Sequence, residues 1–308
     1  MGFRKIYVLG AGAVGCYFGG MLARAHHDVT LIARPDRAKA INTSSLTMDC
    51  KSFCETVHVN ASSDISLLRD ADLVLLSVKS PDTKKVIEDI APILSHRAVI
   101  LSLQNGVANV DIATQIIPNP IYPAAVYVAC GMVGDTVMKH HGRGELLVGC
   151  LSQANVRDLE ILGELCQLFK SSSVPCDIAP QIDRDMWLKF LVNCSYNGIS
   201  GIGQMSYGEM VKIPEVMALI EGITAEFLAI ATCKGIKITA AEAKEANELI
   251  AKTMATQISS TAQDLAKNKR TEIDFLNGYI VELGRRYGIP TPYNESIFSM
   301  VRMLELKQ

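Results

Sequence analysis

Apolar residues recur with two different periods along this 308-residue chain. Up to about residue 180, short apolar runs alternate with stretches of helical spacing. Lys5 to Leu9 is a brief apolar run that meets Gly10, Ala13 to Ala25 repeats at helical intervals, and Asp28 to Ala33 is a second strand. Leu46 to Val59 alternates and is rich in β-branched positions, which predicts a hairpin or two short strands. Leu73 to Val78, reading LVLLSV, is short and apolar throughout, as a parallel strand covered on both faces should be. A helix is predicted from about Pro81 to Leu94, with the proline suited to its first turn. Strands follow at Ala98 to Leu103 and Ile121 to Ala129.

Near residue 180 the period changes. After Pro175 and Pro180 only long helical patterns are read, at roughly 182–200, 214–234, 240–266 and 271–287, with a last piece from Pro292. Gly235, Gly288, Pro290 and Pro292 mark the breaks. Strands separated by helices argue for a doubly wound parallel sheet. The expected architecture is an α/β protein: an N-terminal Rossmann-type domain over 1–180 and a C-terminal all-helical domain over 181–308. A cleft between two such domains is a common place for a small-molecule site.

Composition narrows the classes. With 49% hydrophobic and 20% charged residues there is material for large cores and no case for disorder. Thirty Lys plus Arg against 32 Asp plus Glu gives a net charge of −2, with no basic stripe to neutralise phosphates, so nucleic acid is excluded as a partner. Nine scattered cysteines with no C-x-x-C pair read as reduced thiols of a cytoplasmic protein, and no His/Cys/Asp cluster has metal-ligand spacing. Ile6 to Ala23 is uncharged and follows Arg4 and Lys5, like a signal peptide or one membrane span. Its five glycines suit a strand, a turn and a closely packed helix better, so the protein is expected to be soluble.

Gly10-Ala11-Gly12-Ala13-Val14-Gly15 is G-x-G-x-x-G between the first strand and the first helix. The first glycine permits a tight turn, the second lets the backbone reach a pyrophosphate, and the third allows close packing of helix on strand. The helix N-terminus then offers N–H groups to the anion. A glycine-rich turn without a ligand is the alternative. The second strand ends in Arg34, with Arg37 nearby and the first acid, Asp36, already past the strand. A carboxylate there would favour NAD, whereas a guanidinium grips the 2′-phosphate of NADP. NADP(H) is the expected cofactor, against a merely solvated arginine. Lys79 and the Asn105 of Gln104-Asn105-Gly106 stand at the carboxyl ends of consecutive strands, where open sheets hold ligands. Each could equally be an ordinary polar strand end.

In the helical half, Lys189, Asn193 and Asn197 are spaced i, i+4, i+8 on an otherwise apolar pattern. They share an arc of about 80° and span about 12 Å of helix axis. Burying a lysine and two amides is costly unless they meet partners, which a ligand with carboxylate, carbonyl and hydroxyl groups would supply. A solvent-facing stripe is the alternative.

Together with HHGRGELLVG at 140–149, Arg270-Thr271-Glu272-Ile273-Asp274 and GIPTPYNE at 288–295, these motifs resemble the ketopantoate reductase (2-dehydropantoate 2-reductase) family nearly end to end. K-x-x-x-N also occurs in 6-phosphogluconate and β-hydroxyacid dehydrogenases, so order and spacing carry the resemblance. It implies that Lys189 is the catalytic acid, that Asn193 and Asn197 bind substrate, and that Ser260 contacts the substrate carboxylate. It also implies that Glu272 lies in the active site beside substrate and nicotinamide ribose, and that Lys79 and Asn105 contact the cofactor and help bind substrate. Ala129-Cys130 aligns with a cofactor-contacting alanine, which brings in Cys130. Read locally, Thr271 with Asp274 predicts a capping box that sets Glu272 in the first turn of a helix, where an acid also complements the dipole. Ser260 reads locally as a mid-helix serine. The chain departs from the family at Asn197-Gly198, where Asn-Pro is frequent, and at Tyr207, where Asn is frequent.

Reducing a 2-keto acid requires hydride on one face of the carbonyl and a proton on its oxygen. None of the six histidines is placed as Lys189 is; His140 and His141 are expected in a turn. A lysine can serve as the acid where desolvation or a cationic nicotinamide lowers its pKa. The expected function is NADPH-dependent reduction of ketopantoate to D-pantoate, leading to pantothenate and coenzyme A. One alternative is a D-2-hydroxyacid dehydrogenase for another branched or aromatic 2-keto acid, with Tyr207 and Gly198 altering the pocket. Another is a non-catalytic NADPH-binding regulator, which the intact Lys189 argues against. The apolar helical half is compatible with a homodimer.

Overall fold

The computed structural model describes residues 2–307. One sheet runs through the N-terminal part, built from β1 (Lys5–Leu9), β2 (Asp28–Ile32), β3 (Leu46–Asp49), β4 (Cys54–Val57), β5 (Asn60–Ser62), β6 (Leu73–Leu76), β7 (Val99–Ser102), β8 (Ile121–Val133), β9 (Val137–Val148) and β10 (Cys176–Ile178). The order across it is β4-β3-β9-β8-β7-β6-β1-β2-β5, with β10 also on β9. From β7 to β5 every pairing is parallel. The unbroken apolar runs of β1 and β6 follow from cover on both faces. Ile6 and Val8 enter one core with Leu73 and Leu75, while Tyr7 and Leu9 enter the other with Val74 and Leu76.

Beyond β7 the sheet is mixed rather than wholly parallel. β8 leaves β7 in parallel and then pairs antiparallel with β9, and the expected hairpin forms as β3–β4. His140 and His141 lie within β9, not in a turn. Register shifts near Tyr127 and Cys130 bulge the ladder there, and Gly142 and Gly144 absorb the bulges at φ +140° and +137°. β10 is a strand too short to show a period in the sequence.

The helices of this part are α1 (Ala13–Arg24), α2 (Pro35–Ser44), α3 (Thr83–Ile90), α4 (Asn109–Thr114) and α5 (Val156–Ser171). The chain divides into two compact units, one reaching Ile182 and one starting at Asp183. The second carries α6 (Ile182–Gly203), α7 (Tyr207–Met210), α8 (Pro214–Cys233), α9 (Ala240–Thr253), α10 (Ser260–Ala266), α11 (Asn277–Tyr287) and α12 (Pro292–Glu305). Trp187, Phe190 and Phe227 stack edge to face at its centre. By length and composition α8 could cross a membrane. Here it packs Ile220, Ile223, Phe227 and Ile230 inward, and its buried Glu226 accepts from the backbone N–H groups of Tyr293 and Asn294 and from the Asn294 amide.

Two helical patterns break where other elements compete for their backbone. The 240–266 pattern splits into α9 and α10 because α7 donates to the carbonyls of Ala255 and Gln257, and Ser259 turns away to cap α10. The 271–287 pattern begins only at Asn277. Thr271 gives its N–H and its hydroxyl to Glu305 of α12 instead of forming the expected capping box.

Candidate active site

In the first unit the glycine turn joins β1 to α1. Gly10 sits at φ +110°, and a Cβ there would come within 2.7 Å of the Val78 nitrogen. At Gly15 a Cβ would strike the Gly10 carbonyl, whereas at Gly12 it would meet nothing within 4 Å. The turn is therefore closed against β1 and the end of β6 and open on the Gly12 side. Among the described residues no side chain caps α1 and no acid lies in its first turn, which leaves the N–H groups at Gly12, Ala13 and Val14 suited to an anion. These features fit a pyrophosphate. Arg37 is committed elsewhere, donating to the Ala11 carbonyl at 2.6 Å and pairing with Asp135. Arg34 is exposed, one residue past Ala33 at the tip of β2, and forms no ion pair with a described residue. Of the two cations, Arg34 is the one available for a phosphate.

The carboxyl ends of β6 and β7 are tied by buried polar side chains that the sequence pattern does not reveal. Gln104 donates to the Val78 carbonyl at 2.9 Å and to the Thr83 hydroxyl at 2.7 Å, and Thr83 donates to Asn109. The Asn109 amide in turn holds the Asn105 carbonyl at 2.7 Å and the Ser80 hydroxyl. Lys79 and Asn105, both half-buried, thus stand on backbone fixed from beneath. Cys130 packs against the core beside Cys16 and Cys50, and burial pushes its thiol up to about 12. It is a neutral, apolar-behaving side chain at ordinary pH.

In the second unit Lys189 and Asn193 are half-buried on α6 and Asn197 is 5% exposed. Asn197 is gripped twice: the Tyr207 hydroxyl donates to its Oδ1 at 3.2 Å, and the Ser259 hydroxyl donates to its carbonyl at 3.0 Å. Tyr207 is buried and stacks edge-on against Tyr196, and burial keeps its phenol protonated well above the usual range. The Asn277 amide holds the Cys194 carbonyl and Asn294. Ser260 is the exposed first residue of α10, not a mid-helix serine, and Glu272 is half-buried ahead of a short 3-10 turn over Ile273–Phe275. Gly198 lies under Ile297 of α12, so it serves helix packing. Among the described residues, no group of three His, Cys, Asp or Glu could hold a metal ion.

The model of the family described as ketopantoate reductase PanE/ApbA matches residues 6–153, and that of its C-terminal domain matches 181–305. The chain belongs to the ketopantoate reductase family. It is accordingly an NADP-dependent oxidoreductase. Relatives named 2-dehydropantoate 2-reductase include those of Vibrio cholerae, 28% identical over 98% of both chains, and Pyrococcus horikoshii, 29% identical over 98% of this chain and 97% of that one. A PanE/ApbA family ketopantoate reductase structure from Ralstonia eutropha is 43% identical, with a TM-score of 0.91 over 98% of this chain and 99% of that one. D-mandelate dehydrogenase, solved with NADH and anilino(oxo)acetate, has the same TM-score and coverage at 26% identity.

Proposed function

We propose that this protein reduces ketopantoate to D-pantoate with NADPH, as a soluble cytoplasmic enzyme supplying pantothenate and coenzyme A synthesis. The observation that carries the reading is the stripe of half-buried Lys189 and Asn193 and buried Asn197, with Asn197 held from two sides. The segment Gly10 to Gly15 would cradle the pyrophosphate, with Arg34 on the 2′-phosphate and Lys79, Asn105, Cys130 and Glu272 completing the cofactor contacts. When bound, the reduced nicotinamide supplies the hydride. Lys189 hydrogen-bonds the keto oxygen, stabilises the alkoxide and gives it a proton. Asn193 and Asn197 orient the carbonyl and the distal hydroxyl, Ser260 takes the carboxylate, and Glu272 fixes the hydroxyl or the lysine.

A second reading keeps this chemistry on an aromatic or other branched 2-keto acid. The bulk of Tyr207 against Asn197, and the likeness to D-mandelate dehydrogenase, favour it. NADPH oxidation with ketopantoate beside other 2-keto acids, repeated with NADH, separates the two. Lys189→Ala should abolish turnover on the preferred substrate and leave NADPH binding near normal. Activity within tenfold of the parent would refute the role of Lys189.

A further inference from the structure

Away from these residues two thiols are in contact. Cys166 of α5 and Cys176 of β10 hold their sulfurs 3.6 Å apart, and both side chains are buried. A disulfide requires about 2.05 Å, so roughly 1.5 Å of approach separates contact from bond. The chain between them is a tight reversal with Ser173 at φ +60°. Its far side is anchored by Leu146 N–H on the Pro175 carbonyl and Ala179 N–H on the Val148 carbonyl. Lys170 lies one helical turn beyond Cys166 and pairs with Asp177 at 2.7 Å, which keeps a cation beside the pair. The Cys176 thiol donates to the Cys166 sulfur. That bond, with the Lys170 charge, holds Cys166 below the usual thiol range, while the same bond and burial push Cys176 up. One sulfur is thus disposed to be the nucleophile and the other to stay protonated until it is needed.

We propose that Cys166 and Cys176 are a peroxide-responsive dithiol that closes to a disulfide. The Cys166 thiolate attacks one oxygen of hydrogen peroxide, forming a sulfenic acid and releasing hydroxide. The proton released when Cys166 ionised turns that hydroxide into water. The Cys176 sulfur then displaces the hydroxyl from Cys166, and the Cys176 proton leaves with it as the second water. In balance, two thiols and one peroxide yield one disulfide and two waters. The bond staples the end of α5 to β10, six residues ahead of the start of α6.

Trypsin cutting after Arg157, Lys170 and Arg184 puts the two cysteines on separate peptides with no other cysteine, Asp158–Lys170 and Ser171–Arg184. After hydrogen peroxide treatment of the whole protein, alkylation and digestion without reductant, these two should appear linked, lighter by two hydrogens than their sum. The melting temperature should rise by about 5 °C, as expected for closing a loop of this size, and dithiothreitol should reverse both changes. Cys166→Ser and Cys176→Ser should each remove the linked species. The proposal is overturned if both peptides are recovered singly alkylated. It is equally overturned if Cys166 reaches the sulfinic acid without a link, or if either sulfur is joined to a different cysteine.

Discussion

Tyr207→Phe isolates one hydrogen bond. The ring and its edge-on stack on Tyr196, with centroids 5.4 Å apart, are kept, and only the oxygen 3.2 Å from Asn197 Oδ1 is lost. Because Tyr207 is 8% exposed and Asn197 5%, water does not readily replace the phenol. Leaving a buried acceptor without its donor costs about 1–3 kcal/mol. If the amide must hold its rotamer to meet the substrate, about 1.5 kcal/mol appears in kcat/KM as a loss of about tenfold. Steady-state NADPH oxidation with the preferred 2-keto acid measures this, and NADPH binding followed by fluorescence should not change. The decisive version is a cycle with Asn197→Ala. Once the amide is gone, removing the phenol should cost little, so the coupling energy should be about 1–2 kcal/mol. Equal losses in both backgrounds would show that Tyr207 acts only through packing and would sink this account of Asn197.

Other consequences can be measured separately. Arg34→Ala should raise the KM for NADPH by about 10- to 100-fold, the value of a charge-assisted phosphate contact, and leave that for NADH nearly unchanged; parallel losses with both cofactors would remove Arg34 from the site. Gly144→Ala should lower stability by about 2 kcal/mol or more in a denaturant melt, since residue 144 sits at φ +137° and a Cβ would overlap the Tyr17 hydroxyl. Acid should weaken the fold gently. Asp64 is held below the usual carboxylate range by the Ser66 hydroxyl and N–H, Glu209 by the Ser206 hydroxyl and N–H, and Glu242 by the Thr239 N–H and hydroxyl. Folded values below unfolded ones mean stability that is present above about pH 4.5 and lost as pH falls through the folded values. A melting temperature flat from pH 6 down to about pH 3 would contradict this.

Features set by local spacing were legible in the sequence. The glycine turn is read from six consecutive residues, and the α6 stripe needs only a period of 3.6. What lay beyond reach depends on partners distant in the chain. Glu272 was expected in a helical first turn because Thr271 and Asp274 have capping-box spacing, but Glu305, 34 residues on, takes both Thr271 donors. Ser259, not the neighbouring Ser260, ties α10 to Asn197 through its hydroxyl, and no local signal separates two adjacent serines. The network of Gln104, Thr83, Asn109 and Ser80 likewise draws on three segments, each polar in an ordinary way by itself.

Those unforeseen contacts bear on the proposal that the stripe is a site rather than a polar seam between helices. A seam is satisfied from within, as Glu226 is by three donors from the start of α12. On α6 Lys189 has a partner, and the asparagines are met on one side only. Asn197 Oδ1 and its carbonyl are occupied, while its amide N–H groups, and the whole side chain of Asn193, donate to no described residue. Among the described residues the buried side-chain polar atoms without a partner are Asn247 Oδ1 and Asn277 Oδ1, so the Asn197 nitrogen is not sealed from solvent. The two grips on Asn197 fix how it is presented. An acceptor arriving on the open side would find these donors already oriented. With the Asn197 oxygen already committed, that acceptor must be an oxygen such as a carboxylate, carbonyl or hydroxyl lone pair. A 2-keto acid supplies such oxygens at neighbouring carbons.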